Sequence, residues 1–154
     1  ETIDTMIRYR EKGSYTARKE NNAETAIEDV LKELDISWEH GDLPKLAENV
    51  PNKKRTMDFV IPNKQNPRLI IESSYVTTTA SGMGDKAKTE IAVGRLIKEY
   101  YPSAKFVGFV DGIGWLVRDK DMERIVSAFD DVFTFSEVDM VKFKNLLKET
   151  VLND

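Results

Sequence analysis

Two short apolar runs, Met57-Asp58-Phe59-Val60-Ile61 and Leu69-Ile70-Ile71-Glu72, flank the turn Pro62-Asn63-Lys64-Gln65-Asn66-Pro67. Prolines close strands and Asn tolerates turn dihedrals, so residues 56–76 read as an antiparallel hairpin. The hairpin constrains the fold more than any other segment, because each run carries an acid among side chains that must be buried. A carboxylate at the edge of a run as apolar as Leu-Ile-Ile is costly to bury alone. Two of them on neighbouring strands repel unless a cation lies between them. A divalent metal between Asp58 and Glu72 is the simplest expectation.

The chain has 154 residues and is 40% hydrophobic, enough for one core and too little for two ordinary domains. A single domain over 1–154 is expected, with an N-terminal helix and connection at 1–22, a core at 23–118, and C-terminal helices with a short strand at 119–154. No run approaches the roughly eighteen apolar residues needed to span a bilayer, and no signal-peptide pattern opens the chain. A soluble, intracellular protein without a membrane partner follows as an expectation. The absence of cysteine excludes a disulfide framework and cysteine-ligated zinc. The single histidine, His40, argues against a Ser-His-Asp triad and reads as a loop residue. Any metal here is therefore a hard one on oxygen ligands.

A net charge of -4 does not suggest a surface that grips nucleic acid by its overall field. Local basic windows exist all the same, at Lys12, Arg18 and Lys19 and at Lys53-Lys54-Arg55, and each reads equally well as solvated charge. The chain opens at Glu1 without a methionine, which suggests an excised or trimmed piece of something longer.

Residues 2–12 read as a short helix ended by Gly13, followed by a polar connection to Asn22. Ala23, Ile27, Val30, Leu31 and Leu34 repeat at three and four and predict a helix with Asn21 or Asn22 as N-cap. A first strand at Ile36–Glu39, a long loop from Gly41 to Arg55, the hairpin, and a Thr/Ser/Gly loop from Thr77 to Gly84 follow. A second amphipathic helix covers 85–100 and is blocked by Pro102. Lys105–Val110 is a buried strand ended by Asp111-Gly112-Ile113-Gly114, with a further short strand expected at Trp115–Arg118. Helices at 120–129 and 136–150 flank a short strand at Val132–Phe135.

Lys86, Glu90, Val93 and Ile97 share one stripe of the second helix, so a lysine and a glutamate point roughly where core residues point. Two strand carboxylates, a helix carboxylate and a nearby ammonium suit metal-assisted phosphodiester hydrolysis. The acids would hold one or two Mg²⁺, the ion would lower the pKa of water and neutralise phosphate, and the lysine would stabilise negative charge. The same Lys86–Glu90 spacing also fits a surface ion pair.

The element order and the arrangement Asp58…Glu72-Ser73-Ser74 resemble the PD-(D/E)XK nuclease superfamily, especially its type II restriction endonucleases. The resemblance runs from Glu24 to about Leu147. It implies a restriction-endonuclease-like αβββαβ core, with a central mixed sheet flanked by helices and a C-terminal helical tail. It also implies a Mg²⁺-dependent DNA endonuclease, with Mn²⁺ able to substitute. Glu24 falls at the family's helix glutamate, with Glu28 as its substitute, so the implied metal ligands are Glu24, Asp58, Glu72 and the Ser73 carbonyl. Phe109-Val110-Asp111-Gly112-Ile113-Gly114-Trp115 is similar to a stretch found late in such enzymes. Double-stranded DNA is the implied partner, with a homodimer or a recognition domain or subunit outside this chain. Arg18, Lys19, Asn22, Tyr75, Thr77, Thr78 and Ser81 are candidate DNA contacts, in competition with a plain polar surface.

Two positions depart from the pattern. Met57 stands where the family has proline, which affects only backbone shape. Ser74 stands where the family has lysine and supplies no positive charge; Lys86 and Lys88 are the candidates to replace it, with Glu90 as an added acid. A noncatalytic DNA-binding or assembly module on the same fold is the alternative. Gly82-Met83-Gly84-Asp85-Lys86-Ala87-Lys88-Thr89 also resembles a degenerate P-loop followed by a strand ending in Asp111, although Ala87 obstructs the approach to phosphate. Trp38 and Trp115 fit core or rim packing better than base stacking.

Overall fold

The computed structural model describes residues 23–75, 82–116 and 119–153. Helix α1, Ala23–Glu33, buries Ile27, Val30 and Leu31, as its apolar repeat requires. It ends in a Schellman turn: Asp35 takes a left-handed φ of 55°, its N–H donates to the Lys32 carbonyl, and the Ile36 N–H donates to that of Leu31. The chain then runs through β1 (Glu39–Asp42), α2 (Pro44–Asn49), β2 (Thr56–Ile61), β3 (Leu69–Tyr75) and α3 (Met83–Tyr100). It continues through β4 (Lys105–Asp111), α4 (Ile113–Leu116), α5 (Asp119–Val126), β5 (Asp131–Phe133), α6 (Glu137–Leu147) and a π-helical turn at Lys148–Leu152.

Among the described residues the strands form one mixed sheet in the order β1-β2-β3-β4-β5. The first three are antiparallel neighbours, whereas β3, β4 and β5 are parallel. Parallel neighbours need a crossover, and α3 provides it between β3 and β4. The expected αβββαβ order with a flanked mixed sheet and a C-terminal helix is what the chain adopts.

Ile27 and Leu31 of α1 and Phe143 and Leu147 of α6 pack on one face of the sheet against Phe59, Ile71 and Phe109. On the other face, Val93 and Ile97 of α3 and Leu46 of α2 meet Met57, Val60, Ile70 and Phe106. Gly94 brings α3 close to its neighbour: a Cβ there would stand 2.7 Å from the Ala128 carbonyl oxygen. A third apolar group joins Met83 and Ala87 to Trp115, Met122 and Ile125. Asp111 closes β4 by accepting the Gly112 N–H at 2.7 Å and the Phe135 N–H at 2.8 Å.

Several local expectations need correction. The first strand is Glu39–Asp42 rather than Ile36–Glu39, because pairing with β2 selects it over a β-prone run. The loop from Gly41 to Arg55 contains α2, opened by Pro44 and anchored by buried Leu46. Trp115 lies in the helix Ile113–Leu116 and not in a strand, with its backbone N–H donating to the Gly112 carbonyl at 3.2 Å. No helix among the described residues is long and apolar enough to cross a membrane.

Candidate active site

Strand β2 is bulged where it carries its acid. Glu39 of β1 faces Val60 and Gly41 faces Met57, so two steps along β1 match three along β2, and the extra residue falls at Asp58–Phe59. Such a bulge breaks the in-and-out alternation and re-aims a side chain. Between β2 and β3 the ladder runs Ile61↔Leu69, Val60↔Ile70 and Phe59↔Ile71. Where Asp58 and Glu72 would come next, the backbone pairing gives way to carboxylates. The Asp58 N–H donates to Glu72 Oε2 at 2.8 Å, and the Ser73 N–H donates to Asp58 Oδ2 at 2.8 Å. Each acid thus satisfies an amide that the parted strands leave over, and the two are pinned as a reciprocal pair.

Glu72 is 3% exposed and Glu90 of α3 is 1% exposed, and one ammonium serves both. Lys54 Nζ donates to Glu72 Oε1 and, at 3.1 Å, to Glu90 Oε1. Its neighbours in the basic run point elsewhere. Arg55 Nε donates to Asp42 Oδ2 at 2.9 Å, and Lys53 is exposed.

The electrostatics follow from this crowding. Burial, then the Glu90 and Asp58 carboxylates, push Glu72 up to about 8 from a usual value near 4.5, with Lys54 opposing. Burial by itself would lower the Lys54 ammonium, yet Glu72 and Glu90 outweigh it and hold it above its ordinary value. Glu24, at the start of α1, is raised by partial burial, by Asp58 and by Glu28, with His40 opposing. Glu24 therefore stands at the edge of the Asp58 field.

The oxygen donors available to a hard cation are Asp58 and Glu72, with Glu24 at the periphery. Among the described residues no group of three or more acids is gathered tightly enough to hold an ion unaided. Mg²⁺ commonly takes one or two protein carboxylates and keeps several waters, so this donor set suits it.

Of the residues singled out in the sequence, the structure brings together Asp58, Glu72, Ser73 and Glu90, with Glu24 nearby; Ser73 makes its contact through its amide. Among the described residues no ion pair joins Lys86 or Lys88 to these acids, and Lys88 is exposed on the outer side of α3. The ammonium at the site is that of Lys54, which charge counting along the chain leaves among three equivalent cations. Glu28 is half-buried beside Glu24, and Tyr75 ends β3 half-buried. Arg18, Lys19, Asn22, Thr77, Thr78 and Ser81 lie outside the described residues. His40 belongs to β1 rather than a loop, with Nδ1 3.4 Å from the Asp58 carbonyl oxygen. Trp115 is fully buried, and Trp38 packs its ring 6.5 Å from that of Phe59. Met83 to Thr89 is continuous helix, so its amides cannot form a P-loop cradle.

A family model described as DpnII restriction endonuclease matches residues 3–145. The chain belongs to the DpnII restriction endonuclease family. Neither the curated proteins nor the solved structures provided a match. As a DpnII-family chain it is a restriction-type endonuclease whose substrate class is DNA. The family match spans every element that contributes to the carboxylate group, from α1 to α3.

Proposed function

We propose that the chain is a Mg²⁺-dependent DNA endonuclease with a PD-(D/E)XK-type site at the splayed end of the β2–β3 hairpin. The observation that carries this reading is the pinned Asp58–Glu72 pair. Burial of Glu72, and then the Glu90 and Asp58 carboxylates beside it, push its carboxyl up to about 8 against the opposing charge of Lys54. A divalent ion is the group that such a set of carboxylates accommodates. When bound, it would neutralise phosphate charge and lower the pKa of water.

The chain's own residues have separable tasks in this reading. Asp58 and Glu72 present oxygens at fixed positions, because each is held by a backbone amide at 2.8 Å. Glu24 reaches the same region from α1, where an outer contact through water suits its exposure. The Ser73 carbonyl is a further candidate donor. Glu90 keeps the site's ammonium in place from α3. Double-stranded DNA is the proposed substrate. A cutter with one such site per chain needs two chains, or a recognition partner, to break both strands.

Plasmid cleavage by the full chain with Mg²⁺ tests the proposal, alongside Mn²⁺ titration by calorimetry. Asp58→Ala and Glu72→Ala should each abolish cutting, and Asp58→Ala should lose Mn²⁺ binding with the fold intact. Undiminished cutting by both variants would falsify the assignment. A folded wild-type chain that binds DNA but neither binds Mn²⁺ nor cuts would favour the noncatalytic module.

A further inference from the structure

We propose that Lys54 is the catalytic lysine of this site, delivered from the entry to β2 instead of from β3. The inference rests on the nuclease reading and deepens it. Position 74 lies two residues beyond Glu72 on the same strand face, and Ser74 there is 4% exposed with no hydrogen-bond partner for its Oγ. That position therefore supplies neither charge nor a polar contact to the acids. Lys54 supplies both, with its Nζ on Glu72 Oε1 and on Glu90 Oε1 at 3.1 Å.

The local fold explains why Lys54 is the one cation that turns inward. Arg55 is drawn to β1 by Asp42 and anchors its carbonyl on the Leu43 N–H at 2.9 Å, just before β2 begins at Thr56. Successive residues entering a strand point to opposite sides, so with Arg55 turned toward β1, Lys54 faces the acids. An ammonium has three donors, and the two glutamates use two of them. The Lys54 side chain is 32% exposed while its partners are 4% and 1% exposed, so of the three groups it is the one that solvent, and hence a phosphate, can reach.

The step it would serve is hydrolysis of a phosphodiester. A water oxygen forms the new bond to phosphorus, and the bond to the leaving sugar oxygen breaks. The water gives up a proton to solvent, and the leaving oxygen takes one up. Lys54 keeps its proton throughout and offsets the negative charge that builds on the phosphate oxygens.

The test compares wild type, Lys54→Met, Lys54→Met/Ser74→Lys and Asp58→Ala as full chains. The readouts are Mg²⁺-dependent plasmid cleavage, Mn²⁺ calorimetry and thermal unfolding. Lys54→Met should cut about a hundredfold more slowly or worse while still binding Mn²⁺. Returning an ammonium to the strand in the double variant should restore most of the lost rate. Lys54→Met cutting at the wild-type rate overturns the assignment. Should Lys54→Met fail to fold, Lys54→Gln decides: folded, Mn²⁺-binding and cutting at the wild-type rate, it also overturns the assignment. Wild-type cutting by Asp58→Ala removes the nuclease site itself and the Lys54 role with it. Loss of cutting in Asp58→Ala alone removes only the Lys54 role.

Discussion

Glu72 makes the stability of the metal-free chain depend on pH in a particular direction. Its carboxyl is held at about 8 in the fold and returns to a value near 4.5 when the chain unfolds. Between those values the folded state keeps a proton that the unfolded state releases, so rising pH favours unfolding. The stabilisation is fully present below about pH 4.5, declines as pH rises, and is gone above about pH 8. One pH unit in that window corresponds to about 1.4 kcal/mol, and the whole window to about 5 kcal/mol at most. Glu72→Gln removes the titration while keeping an oxygen for the Asp58 amide. Urea unfolding with a chelator at pH 5, 6, 7 and 8 should therefore show a falling wild-type curve and a flatter variant curve. The variant should overtake wild type toward pH 8. Parallel curves for the two proteins would refute the claim that burial of Glu72, and then repulsion from its neighbours, govern this dependence.

Three further outcomes are expected. On the proposed metal-binding reading, an ion would have to displace the Glu72 proton, so the Mn²⁺ affinity of wild type should rise toward pH 8 by about tenfold per pH unit, and calorimetry in buffers of different ionisation enthalpy should register the released proton. Gly94→Ala gains about 1 kcal/mol of helix propensity, but its Cβ would meet the Ala128 carbonyl oxygen at 2.7 Å. The overlap costs about 1–3 kcal/mol, so a net drop in Tm is expected and a rise would contradict the packing. Ser136 caps α6 by accepting the Asp139 N–H at 3.2 Å and meets Thr134 Oγ1 at 3.0 Å. Ser136→Ala should cost about 1–2 kcal/mol in denaturant unfolding, without changing Mn²⁺ affinity.

Legibility of the sequence followed the range of the interactions involved. The helix at Ala23–Glu33 and the strands at Leu69–Tyr75 and Lys105–Asp111 were readable, because a strong apolar repeat or a continuous apolar run needs no distant partner to declare itself. The strand Glu-His-Gly-Asp at 39–42 carries no such pattern and exists because β2 pairs with it. Trp115 has a residue type that favours strands, but the third apolar group buries it on a short helix. At the site, Asp58, Glu72 and Glu90 stood out as acids set among apolar neighbours. Lys54 did not, because Lys53-Lys54-Arg55 looks uniform until Asp42 draws Arg55 to β1. The bulge at Asp58 was equally hidden, since it is a property of two strands compared with each other.

The carboxylates and the ammonium come from α1, the segment entering β2, both strands of the hairpin, and α3. No single stretch of chain holds more than a fraction of the group, unlike a contiguous ion-binding loop. A hairpin peptide cut from this protein would keep the two mutual amide contacts of Asp58 and Glu72 but would lack Glu90 and the covering helices. On the nuclease reading, activity at this site requires residues 24 to 90 to be folded together, because Glu90 joins the group from α3.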